Sequence, residues 1–124
     1  MSKRPKRKTS KAYQKWRARV DHKNALHQWS IDVRKRDGDK CIICGATDRL
    51  NSHHVLDKLF YKSISLELNN GVCLCPAHHK YSIKSAHKNA LWWVEWLRVN
   101  RPEQYAWCLN QMLILVSNKE NPLE

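Results

Sequence analysis

Cysteine and histidine fall in this 124-residue chain in two patterns that have metal-ligand spacing. Cys41-Ile42-Ile43-Cys44 is followed, with thirty residues between, by Cys75-Pro76-Ala77-His78. A two-residue gap lets both ligands of a turn face one ion while backbone amides face the sulfurs. Two such turns supply the four ligands of tetrahedral zinc. A single CxxC is a weak signal; a pair at this distance, flanking a histidine-rich segment, is strong. Cys41, Cys44, Cys75 and His78 are therefore expected to hold a structural zinc. Cys73 competes for the same set, because residues 73 and 75 of a strand share a face, although a CxxH turn suits Cys75 and His78 better. Cys108 stands in an apolar stretch and is expected in the core.

The second pattern is Ser52-His53-His54-Val55, then Asn70-Gly71-Val72, then His78-His79. Neighbouring histidines on a strand point to opposite faces. One can ligate an ion while the other does different chemistry. These residues resemble the HNH endonuclease family: the pair His53-His54, Asn70 ahead of Gly71-Val-Cys-Leu-Cys75, and His79 after the Cys75-x-x-His78 turn, nine residues beyond Asn70. The likeness covers about residues 37–87 and includes the lead-in Arg36-Asp37-Gly38-Asp39-Lys40-Cys41. Ser85-Ala86-His87 followed by Trp92-Trp93 and Trp96-Leu97 is similar to small bacteriophage HNH proteins.

The resemblance implies an α+β fold with a small ββα-metal core and a zinc knuckle, flanked by N-terminal and C-terminal helices. It implies hydrolysis of DNA phosphodiester bonds, by nicking or double-strand cleavage, at a single divalent ion such as Mg²⁺ or Mn²⁺. His53 and His79 would be ligands of that ion, His54 the general base that activates water, and Asn70 the residue that fixes His54. The chain departs from the family at Ile83, where a further histidine often stands. His87 is the candidate third ligand, if the chain folds back after a helix break near Ser85. The alternative from another class is a non-catalytic, zinc-stabilised DNA-binding module, which needs no second, open metal site.

The elements that must position these groups are legible from periodicity and punctuation. Tyr13, Trp16 and Val20 recur at helical spacing, so Ser10 to about Val20 is expected to be helical; Leu26, Trp29 and Val33 repeat the spacing from about Lys23 to Arg36. Gly38 is the expected terminator. Leu50–Val55 and Gly71–Cys75 look like short strands joined by a polar loop with one amphiphilic patch, Leu59-Phe60-Tyr61. Residues 76–84 are expected to form a short helix with Pro76 near its start. Residues 89–100 and 103–117 read as two further helices separated by Pro102. The chain thus divides into a basic, partly helical arm (1–22), a core (23–88) and a helical extension packed on it (89–124).

Charge bounds the partner. Lys and Arg number 23 against 11 Asp and Glu, a formal net charge of +12, which points to a polyanion. Residues 1–20 hold no acid but carry Lys3, Arg4, Lys6, Arg7, Lys8, Lys11, Lys15, Arg17 and Arg19. These are the expected contacts to DNA phosphates. Tyr13 and Trp16 beside them can stack on bases or pack on the domain. No segment approaches the roughly 18 apolar residues of a membrane span, and the basic N-terminus lacks a signal-peptide core. A cytosolic location is expected, that of the host cell for a phage protein. Thiols stay reduced there, which favours metal ligation over disulfides.

Overall fold

A computed structural model describes residues 3–8 and 10–118. The outermost positions of both expected extensions, 1–2 and 119–124, and residue 9 lie outside the described residues. The fold is α+β: three helices, α1 (Lys11–Arg36), α2 (Ala90–Asn100) and α3 (Pro102–Asn118), surround one antiparallel pair, β1 (Asn51–His54) and β2 (Gly71–Leu74).

The two helical stretches expected before residue 37 are one continuous helix. It begins at Ser10, whose hydroxyl accepts the Tyr13 amide at 3.0 Å. Nothing between Val20 and Lys23 can break it, since no Gly or Pro falls there. Its end is a Schellman motif: the Asp39 amide reaches Arg34 O at 2.8 Å and the Gly38 amide reaches Lys35 O at 3.0 Å. Gly38 takes the left-handed φ of +77° that this closure requires.

In the β pair, His54 stands opposite Gly71, His53 opposite Val72 and Ser52 opposite Cys73. Alternation then sorts the side chains. Ser52, His54 and Gly71 face α1, where Ser52 Oγ donates to Ser30 O at 2.6 Å. His53, Val72 and Leu74 face the other way. There Val72 and Leu74 join Cys41, Cys75, Ala86, Trp93 and Leu97 in the main core. Gly71 is needed for closeness rather than for an unusual φ. A Cβ there would sit 2.5 Å from the Trp29 ring and 2.6 Å from a Val33 methyl, so α1 could not lie where it does.

Asp37 locks this arrangement. Its carboxylate, only 3% exposed, accepts the Cys73 amide at 2.9 Å and pairs with Arg36 at 2.9 Å and Arg101 at 3.1 Å. It therefore ties the end of α1 to β2 and to the α2–α3 junction. Burial pulls its pKa up, but the Arg36 and Cys73 hydrogen bonds and the two guanidinium charges outweigh that and hold it below the ordinary value. α2 starts on the Asn89 side chain, which accepts the Trp92 amide. The break after α2 falls at Arg101, whose backbone (φ −133°, ψ 59°) is non-helical ahead of Pro102, the first residue of α3. No helix among the described residues is long and apolar enough to cross a membrane.

The short helix expected over 76–84 is instead one π-helical turn, Ala77–Tyr81, after which Ser82 is extended. The helix stops because its carbonyls are taken by the returning chain. The Ala86 amide bonds His78 O at 2.9 Å and the His87 amide bonds His79 O at 3.0 Å. Residues 82–84 thereby loop out, leaving Ile83 77% exposed, before the chain returns at the buried Ser85.

Candidate metal centres

The first centre gathers Cys41, Cys44, Cys75 and His78, whose ligand atoms all lie within 4.8 Å of one another. The Cys41–Ala46 turn is closed by the Gly45 amide on Cys41 O and the Cys41 amide on Ala46 O, both at 2.9 Å. Gly45, at φ +77°, makes the turn possible. The second pair comes from the end of β2 and the turn after it. Cys44 Sγ and Cys75 Sγ are 3.7 Å apart, while His78 Nδ1 is 3.3 Å from Cys75 Sγ and 3.9 Å from Cys41 Sγ. Zinc–sulfur bonds of about 2.3 Å in a tetrahedron put sulfurs about 3.8 Å apart and sulfur–nitrogen pairs about 3.6 Å apart. The donor set thus fits a metal such as zinc. Burial raises the Cys41 thiol pKa, but the amides of Cys75, Cys44 and Ile43 directed at its sulfur bring the net value below normal, favouring the thiolate. Cys75 is pushed up, by burial first and then by the neighbouring thiols.

Cys73 is not part of this group. β2 ends at Leu74, so Cys75 leaves the alternation that would have aligned the two cysteines. The Cys73 thiol is buried beside Asp37 and Cys41, which pushes its pKa to about 11. Cys108 is in the core, 4% exposed, and burial pushes its thiol to about 11 as well.

The second centre is a triad of imidazoles, His53, His79 and His87, again with ligand atoms within 4.8 Å. Their rings meet edge to face, with centroids 5.1, 5.1 and 4.7 Å apart. His79 Nε2 and His87 Nε2 are 3.1 Å apart. Metal–nitrogen bonds of about 2.1 Å place adjacent donors roughly 3.0–3.4 Å apart in octahedral or tetrahedral geometry; the His79–His87 pair has that spacing, and the three residues could hold a metal ion. β1 supplies His53, the π turn His79, and the returning chain His87. Trp93 of α2 closes the floor, with its ring 5.8 Å from His53. Burial, then the positive charge His79, His87 and His54 would carry, pushes the His53 pKa to about 3. Burial, then His87 and Lys80, pushes His79 to about 4. Both are therefore neutral at pH 7, the form that ligates metal.

His54 is separate from the triad, as the alternation of a strand requires. Its ring stacks on Trp29, and its Nε2 lies 2.8 Å from Ser65 O. A carbonyl only accepts, so Nε2 carries the proton and Nδ1 keeps its lone pair. Burial lowers the His54 pKa, the Ser65 bond opposes this, and the net shift is downward. Asn70 does not hold His54 directly, contrary to the expectation from sequence. Its side chain is fully buried and pins the loop instead: Oδ1 accepts the Leu56 amide at 2.7 Å, and Nδ2 donates to Leu56 O at 3.1 Å and Ile64 O at 3.4 Å. Residues 56–70 are thereby closed around Ser65, which meets His54.

His53, His54, His79 and His87 all line one cleft of about 510 Å³, with Lys58 and Lys80 in its walls. The expected DNA-contacting residues of the arm, Lys3, Arg4, Lys6, Arg7, Lys8, Lys11, Lys15, Arg17 and Arg19, are all exposed. Arg4 lies over the rings of Tyr13 and Trp16, at 5.6 and 5.9 Å, and Arg17 pairs with Asp21 at 3.2 Å. Sequence reasoning missed Trp29, Gly71 and Asp37 as supports of the site. In the sequence Trp29 marks a helix face, Gly71 the start of a short strand, and Asp37 a helix end and the lead-in to Cys41; none of these signals reports a contact with the site. Compared with family models, with curated proteins and with solved structures, the chain matches none.

Proposed function

We propose that the chain is a metal-dependent DNA endonuclease of the HNH type, in which β1, β2 and the turn at 77–81 form a ββα-metal core. The observation that carries this is the convergence of His53, His79 and His87 beside a fourth imidazole, His54, held at one nitrogen and basic at the other. A binding module stabilised by zinc alone has no use for the second set.

A divalent ion on the triad would polarise a phosphate oxygen and relieve charge at the leaving oxygen. Neutral ligands leave the ion's charge undiminished toward the substrate. His54 Nδ1 takes the proton of the attacking water as the water oxygen bonds phosphorus and the P–O bond to the leaving oxygen breaks. The Ser65 carbonyl stabilises the imidazolium that results, and Trp29 keeps the ring in plane. Lys58 and Lys80 draw the phosphodiester into the cleft, and the basic arm adds affinity without reading sequence. The four-ligand zinc centre does no chemistry here; it joins the segment before β1 to the turn after β2, and so sets His79 against His53.

Supercoiled plasmid incubated with purified protein and Mg²⁺ or Mn²⁺ tests this. Nicked or linear product should form with metal and not without it. A protein that binds DNA tightly yet leaves plasmid intact with every divalent ion tried is the binding module instead.

A further inference from the structure

We propose that the Leu59–Phe60 tip of the loop after β1 is an apolar wedge that enters the base stack of duplex DNA next to the cleft. This rests on the proposal above that DNA is the partner. Leu59 and Phe60 are adjacent, large and apolar, and each is 69% exposed. They do not stand out because the loop is unstructured. Asp57 builds the tip: its carboxylate accepts the Leu59 amide at 2.7 Å, and its carbonyl accepts the Tyr61 amide at 2.9 Å. Asn70 pins the base of the loop at Leu56. The turn therefore presents the pair outward.

Position and charge say what the tip meets. Leu59 and Lys58 line the same cleft as the four histidines. Lys58 and Lys62 flank the tip in sequence, and Lys80 lines the same cleft. The one acid of the tip, Asp57, is engaged with the Leu59 amide. An apolar point bracketed by cations is the complement of a duplex, which has apolar stacked bases bracketed by phosphates. Apolar side chains inserted at a base step unstack it and bend the duplex. Pyrimidine–purine steps, mismatches and branch points resist this least, so cleavage should favour them.

The test uses the full chain carrying His54→Ala, so that DNA stays intact, and duplexes with 2-aminopurine at successive positions. Fluorescence should rise at one or two adjacent positions on binding. Leu59→Ala together with Phe60→Ala should abolish the rise and weaken binding roughly tenfold, in a variant whose folded state is checked by its melting temperature. A rise that persists in the double variant overturns the wedge, as does tight binding with no rise at any position. A loop-dependent shift in oligomeric state without any rise also overturns it, making the tip a protein contact. Plasmid cleavage by the wild-type protein is scored separately. Loop-dependent unstacking without cleavage sinks the nuclease and keeps the wedge; cleavage without unstacking does the reverse; failure to bind DNA sinks both.

Discussion

The indole of Trp29 lies flat against the imidazole of His54, ring centroids 3.8 Å apart and planes within 10° of parallel. One ring comes from the middle of a long helix and the other from a four-residue strand. The indole Nε1 also donates to Glu67 O at 2.9 Å, on the loop that carries Ser65. Helix, strand and loop are thus joined at the group proposed to move the proton, and the first two predictions address that joint.

Trp29→Phe keeps a flat face against His54 but removes the bond to Glu67 and part of the ring volume. Stability should fall by about 2 kcal/mol, read by urea denaturation. Single-turnover cleavage should fall as well, but less than in His54→Ala. Unchanged cleavage at lowered stability would show that Trp29 supports the fold and not the base.

Gly71→Ala drives a methyl into Trp29 and Val33. Overpacking of this kind costs about 1–3 kcal/mol. The displacement acts on the indole that His54 rests against, so the cleavage rate should drop while the zinc content stays the same. A stable, fully active Gly71→Ala protein would mean that α1 can shift without disturbing His54.

His54→Ala and His87→Ala should fail in different ways. Loss of a general base lowers the chemical step by ~10²–10⁴-fold, and raising Mn²⁺ should not restore it. Loss of a ligand weakens metal binding, so His87→Ala activity should recover in part as Mn²⁺ is increased. Identical metal titrations for the two variants would contradict the assigned roles.

Cys44→Ser removes one of the four residues that could hold a metal at the first centre. Metal analysis of the wild-type protein should find about one zinc resistant to mild chelation, and the variant should lose it. Because structural zinc contributes folding energy directly, the melting temperature should drop by roughly 5 °C or more. A zinc-free variant as stable as wild type would remove the structural role of this centre.

Asp37→Asn leaves Arg36 and Arg101 without their shared counter-charge and should cost about 3 kcal/mol near neutral pH. The wild-type advantage is tied to the ionised carboxylate, whose pKa is depressed in the folded chain below the ordinary 3.8. The sign follows from linkage: the stabilisation is fully present above pH 3.8 and is lost as pH falls through the depressed value. Denaturant midpoints of the two proteins should therefore converge only below that pH. A gap constant down to acid unfolding would mean that Asp37 acts through hydrogen bonds alone.

Spacing alone was enough to pick out the cluster that could hold a metal ion. Cys41, Cys44, Cys75 and His78 sit on two short turns, and a two-residue gap fixes the local geometry whatever surrounds it. The split of His53 from His54 was equally local, since alternation in a strand allows no other outcome. Helix ends at Ser10, Gly38 and Pro102 are likewise properties of single residues and their backbone preferences. Tertiary structure decided what depends on distant segments meeting. His87 joins His79 because the amides of Ala86 and His87 replace the next helical turn, an exchange of hydrogen bonds that no periodicity reports. Asn70 acts on the loop rather than on His54, because the loop's path places Ser65, not residue 70, at the imidazole. Trp29 reads in the sequence as an ordinary core position of an amphipathic helix. Only the absence of a Cβ at Gly71, 42 residues further along, lets α1 come close enough for that indole to stack on His54.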